Sequence, residues 1–176
     1  MNDLDMLYTR RSVRRFTGEP VSDDQLHRLL LAGMNAPSCT DARDWSFIVV
    51  KDKALIQRMA EANGKYAAPL LNGADIGLLV CGDLARAFPP APDYWIIDCA
   101  IATGNIHLAA HAMGLGSCWL GVYPQTHRVD AKRQLFGLPE HIVPHSILAI
   151  GHPAGDIDPR DPEARWDDAL VHFDRW

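Results

Sequence analysis

The sequence predicts one α+β domain spanning residues 1–176, built on a mixed sheet, and three observations carry that expectation. Short apolar runs with strand character are spread along the chain, helical segments fall between them without regular βαβ alternation, and residues 94–113 form a long, alanine-rich apolar stretch. At 176 residues the chain can withdraw roughly 70% of its unfolded surface from water, enough for a single real core.

The elements follow in chain order. Residues 3–9 have helix-forming composition after an Asn2 cap and run into the cluster RRSVRR at residues 10–15, whose cations suit a helix C-terminus. Ser22 with Gln25 three residues later is a capping box; Leu26, Leu29, Leu30 and Gly33 continue that helix until Asn35 and Pro37. Residues 46–50, SFIVV, read as a strand, and Asp52 caps a helix reaching about Ala62. A buried strand over residues 76–81 closes at Gly82 and Asp83. The proline-rich loop 88–92 isolates the long helix, residues 93–113. Residues 117–123 and 145–150 are the third and fourth strands, with a short helix over 128–136 between them.

From Gly151 the tail has little core periodicity yet ends in Val171, Phe173 and Trp176, and such a tail needs another surface to cover. The long helix has more apolar face than one small sheet can hide, and Ala100, Ala102, Ala109, Ala110 and Ala112 permit close backbone approach. Together they predict a homodimer with an exchanged C-terminal arm.

Composition excludes several classes. Acidic residues outnumber basic ones, 22 to 17, for a net charge of −5, which argues against nucleic acid or an anionic membrane as the main partner. Asp98, Asn105, His107 and His111 interrupt the apolar stretch and make it a poor membrane span. Cys39, Cys81, Cys99 and Cys118 show no C-x-x-C pairing, and no signal peptide is recognisable, so a reduced cytoplasmic setting is expected.

Arg10, Arg11, Arg14 and Arg15, grouped around the Ser12 hydroxyl, repel one another unless an anion sits among them. Guanidinium forks with a hydroxyl match a phosphate, the other reading being a solvated basic face. The block Gly114-Leu115-Gly116-Ser117-Cys118-Trp119-Leu120-Gly121 follows a helix and opens a strand, the reverse of a dinucleotide fingerprint. Its glycines end the helix, let the backbone near Gly121 press against a flat ligand, or both. The loop Ala36-Pro37-Ser38-Cys39-Thr40-Asp41-Ala42-Arg43-Asp44-Trp45, polar and ending in an aromatic before a strand, is a connection, or a source of hydrogen bonds to a heteroaromatic ring. His107 and His111 lie four apart without a third ligand or an H-E-x-x-H pattern, so no metal is expected and the pair is read as packed or interfacial. No G-x-S-x-G or recognised cysteine nucleophile supports a hydrolase.

In this order and spacing the blocks resemble the FMN-dependent nitroreductase family over nearly the whole chain: Arg10 to Arg14, Ala36-Pro37-Ser38 through Trp45, Asp98 with Asn105, Gly114 to Gly121, Gly151-His152-Pro153, then Arg165 and His172 to Trp176. The resemblance implies a nitroreductase-like fold: a mostly antiparallel sheet flanked by helices, a long central helix and an exchanged arm. It implies FMN as cofactor, NADH or NADPH as donor, and a nitroaromatic, quinone or similar small-molecule acceptor served in alternating half-reactions. Arg10 and Ser12, with Arg11 beside them and Arg165 from the tail, would hold the ribityl phosphate; Arg14 would lie near the pyrimidine edge, where a fixed cation favours reduced flavin. Pro37, Ser38, Cys39 and Asp41 match a loop lent to the ring by the second subunit, and Leu120 and Gly121 match the backbone facing N5. No side chain is expected to act as catalytic nucleophile, acid or base, because the chemistry belongs to the flavin.

The chain departs from the family pattern at Asp41, Arg43 and Asp44, usually Asn, Gln and Pro. It also lacks a lysine at residues 66–69 and carries Glu163 where a second basic residue often precedes the arginine. An ionised Asp41 cannot donate, though a pair with Arg43 would neutralise both charges. These departures imply weaker flavin binding or a lower potential. A flavin enzyme with another substrate, such as one performing reductive dehalogenation or flavin destruction, and a non-catalytic FMN binder are the alternative readings.

Overall fold

The structure is a computed structural model that describes residues 4–71, 73–155 and 161–176; the Asn2 cap lies outside them. Helices α1 (Asp5–Thr9) and α2 (Asp23–Met34) precede strand β1 (Trp45–Val50). Then come α3 (Lys53–Glu61), α4 (Ala68–Leu71), β2 (Ile76–Asp83), α5 (Tyr94–Ala112), β3 (Gly116–Gly121), α6 (Thr126–Phe136) and β4 (Ile142–Gly151). The expected caps form: Ser22 and Gln25 close a reciprocal capping box, and the Asp52 carboxylate accepts from the Leu55 N–H at 2.7 Å.

The strands pair in the order β1-β2-β4-β3, all antiparallel. The parallel component of the expected mixed sheet is reduced, among the described residues, to a single bridge between Ser12 and Ser117. Side chains alternate cleanly. Leu79, Cys81, Leu120, Ile147 and Ala149 face α3, α4 and α6; Ile76, Leu78, Leu148 and Ile150 face α2 and α5, with Val80 beside Trp95 of α5. Both faces are covered, which is why the central strands read as unbroken apolar runs despite antiparallel pairing.

Three boundaries differ from the sequence expectation for identifiable reasons. β4 begins at Ile142, upstream of His145, because a register shift at Val80/Cys81 accommodates Pro144, which has no N–H to give the ladder. β2 therefore continues through Gly82 and Asp83, paired with Val143 and Ile142. β3 stops at Gly121 instead of Tyr123 because the N–H groups of Val122 and Tyr123 both turn to the single carbonyl of His145. The short helix α4 was not expected. Pro69 occupies its first turn, where a missing N–H costs nothing.

Among the described residues no helix is long and apolar enough to cross a membrane.

Candidate functional site

The basic segment is held extended by two strand-like anchors. Ser12 bridges Ser117, with the Val13 N–H donating to the Ser117 carbonyl at 2.9 Å, and Phe16 bridges Pro153. Gly116 makes the first anchor possible: a Cβ there would stand 2.6 Å from a Val13 methyl. Val13 is thereby turned inward, and extended geometry turns Ser12 and Arg14 outward to solvent on the opposite side.

Arg10 leaves the end of α1 and lies half-buried against α5, its Nη1 donating to His107 Nε2 at 2.8 Å. Burial and the charges of Arg11 and Arg165 all depress the Arg10 pKa. The two ends of the polypeptide thus bring cations together, and among the described residues no carboxylate forms an ion pair with Arg10. Arg11 Nη1 donates to the carbonyls of Tyr8 and Arg10 at the end of α1. Arg165 closes an exposed 3-10 turn, Glu163–Arg165. Arg14 donates weakly to the Ser12 carbonyl at 3.3 Å, and its charge is felt at the buried Cys118 thiol of β3.

Leu120 packs its side chain into the core while Gly121 opens to solvent; no heavy atom lies within 4 Å of where a Gly121 Cβ would stand. Its carbonyl is held from behind by Arg128 Nη1 at 2.8 Å and Asn63 Nδ2 at 3.4 Å, and Asn63 in turn accepts from the fully buried Lys132. Burial, then the Arg128 charge, lowers Lys132 to about 8. Sequence reasoning missed this support, since residues 128–136 signalled only a short helix.

The loop of Pro37, Ser38, Cys39 and Asp41 does not join the arginines within one chain. It is anchored where the Cys39 N–H donates to Asp98 Oδ2 at 2.9 Å. Asp98 and His107 are nine residues apart on α5, about 13–14 Å along the axis and on opposite faces. Thr40, Asp41 and Arg43 adopt left-handed backbone angles, with φ of 52°, 57° and 50°, a strained conformation for side-chain-bearing residues. Ser38 Oγ accepts from the Arg43 N–H at 3.0 Å. The expected Asp41–Arg43 pair forms as a two-pronged contact, at 2.8 and 2.9 Å, and holds the Asp41 carboxyl below its ordinary pKa.

Asp44 corrects the picture of a charged loop group near a ring. Its side chain is fully buried at the entry to β1, beside Asp98, and both carboxyl oxygens lack a hydrogen-bond donor among the described residues. Burial first, then Asp98, raises its pKa from 3.8 to about 6; Arg86 opposes this. One proton turns two mutually repelling acceptors into a donor–acceptor pair. A raised folded pKa means the favourable, protonated contact is complete below pH 3.8 and is lost as pH rises through about 6. Asparagine keeps a donor toward Asp98 at every pH. Asp44→Asn is therefore expected to gain about 2 kcal/mol relative to the parent between pH 4 and pH 7.5. Urea denaturation at the two pH values measures this, and an unchanged difference would refute it.

His107 and His111, expected as packed or interfacial, are both engaged: His107 by Arg10 and Ser117, and His111 by Thr9 Oγ1 at 2.8 Å. Burial holds His107 at about 4. The three buried thiols are poor nucleophiles: burial pushes Cys81 to about 12 and raises Cys99 and Cys118. The arrangement as a whole can bind a phosphate-like dianion at Arg10 and admit a flat group beside Gly121.

The model of the nitroreductase family matches residues 7–70 and 62–152. A protein of Archaeoglobus fulgidus provisionally named NADH dehydrogenase/NAD(P)H nitroreductase is 39% identical over 173 residues, 98% of each chain. The FMN reductase [NAD(P)H] of Bacillus subtilis is 31% identical over 171 residues, 88% of this chain and 67% of that protein. Among solved structures, an FMN-dependent nitroreductase from Clostridium difficile R20291 superposes with a TM-score of 0.88 at 28% identity, covering 97% of this chain and 98% of that one.

Proposed function

The chain belongs to the nitroreductase family, and from that membership we propose an FMN-dependent oxidoreductase that uses NADH or NADPH to reduce a nitroaromatic, quinone or similar acceptor in alternating half-reactions. The observation that carries the reading is the half-buried Arg10, which feels the charges of Arg11 and Arg165 and, among the described residues, has no carboxylate partner. A dianion there would offset both the mutual repulsion and the burial cost. When bound, FMN supplies the hydride and electron transfer. The chain's residues position and tune: Arg10, Ser12 and Arg165 take the phosphate, and Arg14 places charge along the flavin's pyrimidine edge. The Gly121 backbone, braced by Arg128 and Asn63, offers a flat approach.

The loop of Pro37, Ser38, Cys39 and Asp41 serves the flavin of a second subunit in this reading, which explains why α5 separates it from its own chain's arginines. A homodimer also uses the apolar surface that one chain leaves open. Tyr94 and Ile97 of α5, Leu31 and Met34 of α2, and the tail residues Trp166, Leu170, Phe173 and Trp176 are all exposed. Among the described residues β1 is a sheet edge, and beside it lies a groove of about 480 Å³ whose lining mixes apolar side chains such as Met34, Trp45 and Phe47 with Ser46 and the cations Arg43 and Arg86. We assign this groove to the partner's C-terminal arm.

One observation favours a second reading, a non-catalytic FMN binder: Asp41 and Arg43 satisfy each other and leave the loop fewer groups for a ring. Anaerobic stopped-flow mixing of FMN-loaded protein with NADH and with NADPH separates the two. Bleaching of the flavin absorbance by at least one donor is expected; no bleaching with either would leave the binder.

A further inference from the structure

Arg10 is held from behind by a two-residue relay that joins three elements. A guanidinium has only donors, so the 2.8 Å contact between Arg10 Nη1 and His107 Nε2 requires Nε2 to be an unprotonated acceptor. The ring's proton then sits on Nδ1, and Nδ1 faces the Ser117 hydroxyl in a short hydrogen bond. His107 is 7% exposed and Ser117 2%, so water does not compete for either contact. Ser117 belongs to the same stretch of β3 that bridges Ser12 and accepts from Val13, so the strand that aligns the basic segment also supplies the hydroxyl that accepts the Nδ1–H. One turn on, Thr9 Oγ1 donates to the Asp5 carbonyl, so His111 Nε2 must donate to Thr9. Two histidines of α5 therefore grip two consecutive residues at the mouth of the basic cluster, one by accepting and one by donating.

We propose that His107, as the neutral Nδ1–H tautomer that the Arg10 contact requires and Ser117 anchors, is a positioning residue that orients the Arg10 guanidinium so that its remaining donors face the flavin phosphate. This rests on the reading that Arg10 holds that phosphate. A guanidinium on a flexible stem loses side-chain freedom when it binds an anion. A buried acceptor on its back removes much of that freedom beforehand and leaves the fork aimed outward. A protonated imidazole would instead present a second cation to Arg10, and burial with the Arg10 and His111 charges keeps the ring neutral.

The test uses flavin-stripped protein titrated with FMN and with riboflavin, which differ by the phosphate, and follows flavin fluorescence. The parent is expected to prefer FMN strongly. His107→Leu should reduce that preference about tenfold by weakening FMN while leaving riboflavin unchanged. His107→Gln, whose Oε1 can stand where Nε2 stood, should restore most of it. Nitrogen-15 NMR of the stripped parent should show the His107 proton on Nδ1. Full FMN preference in His107→Leu together with its loss in Arg10→Ala would overturn the positioning role and leave the phosphate reading standing. Full preference in Arg10→Ala would overturn the phosphate reading and this proposal with it. A proton on Nε2 in the NMR spectrum defeats the relay whether or not the variants fold.

Discussion

Replacing Arg10 by alanine is expected to weaken FMN binding about 100-fold with little change in the protein's melting behaviour. Arg10 is the cation that feels the others: it is half-buried, depressed by burial and by Arg11 and Arg165, and among the described residues its side-chain hydrogen bond is to a neutral ring. Each hydrogen bond between a guanidinium and a phosphate oxygen contributes about 1.5–3 kcal/mol, so losing one or two of them accounts for the expected factor. Arg10→Lys should fall between, since an ammonium keeps the charge but loses the planar fork. Calorimetric titration of flavin-stripped protein gives the constants directly. A dissociation constant for Arg10→Ala within twofold of the parent would remove the phosphate from this end of the molecule. Stability should hold because deleting Arg10 relieves repulsion with its basic neighbours and leaves His107 its bond to Ser117.

Gly82→Ala should destabilise the fold by about 3 kcal/mol, whereas Gly77→Ala, in the same strand, should cost less than about 1 kcal/mol. Both glycines abut a side chain: an added Cβ would lie 2.2 Å from Trp95 Cε3 at Gly82 and 2.2 Å from the Met59 terminal methyl at Gly77. The difference is compliance. Met59 ends in an unbranched, freely rotating thioether that can swing aside. Trp95 is a rigid indole, 4% exposed and locked edge-on against Tyr123 and His145, so β2 or α5 must shift instead. Denaturant midpoints of the two variants measure the contrast, and equal losses would show that Trp95 is freer than its packing implies. Tryptophan fluorescence should shift in Gly82→Ala and not in Gly77→Ala.

Much of the fold is readable in the linear order because its causes are local. The Ser22 and Asp52 caps, the stop of α2 at Asn35 and the unbroken apolar run of β2 each depend on neighbours within a few positions, and they form as expected. Where a local signal misled, a distant partner had intervened. Pro144 argues against a strand until the irregular pairing at Val80/Cys81 absorbs it, and Gly82 reads as a turn until Val143 pairs with it. Asp44 reads as a charge in a polar loop near the ring, and only the docking of that loop onto α5 buries it beside Asp98.

The chemistry divides the same way. The run of arginines by itself determined that this chain must gather an anion or spread its charges in water, because like charges a few residues apart repel whatever the fold. Which of the two holds was decided by tertiary structure. Arg10 meets His107, 97 positions away, and feels Arg165 from the far end of the chain; those approaches depend on how α5 lies on the sheet. Because α5 is apolar around most of its circumference, no periodicity in it announces which face receives the basic segment. Packing chose that face, and with it the tautomer of one histidine and the direction of one guanidinium.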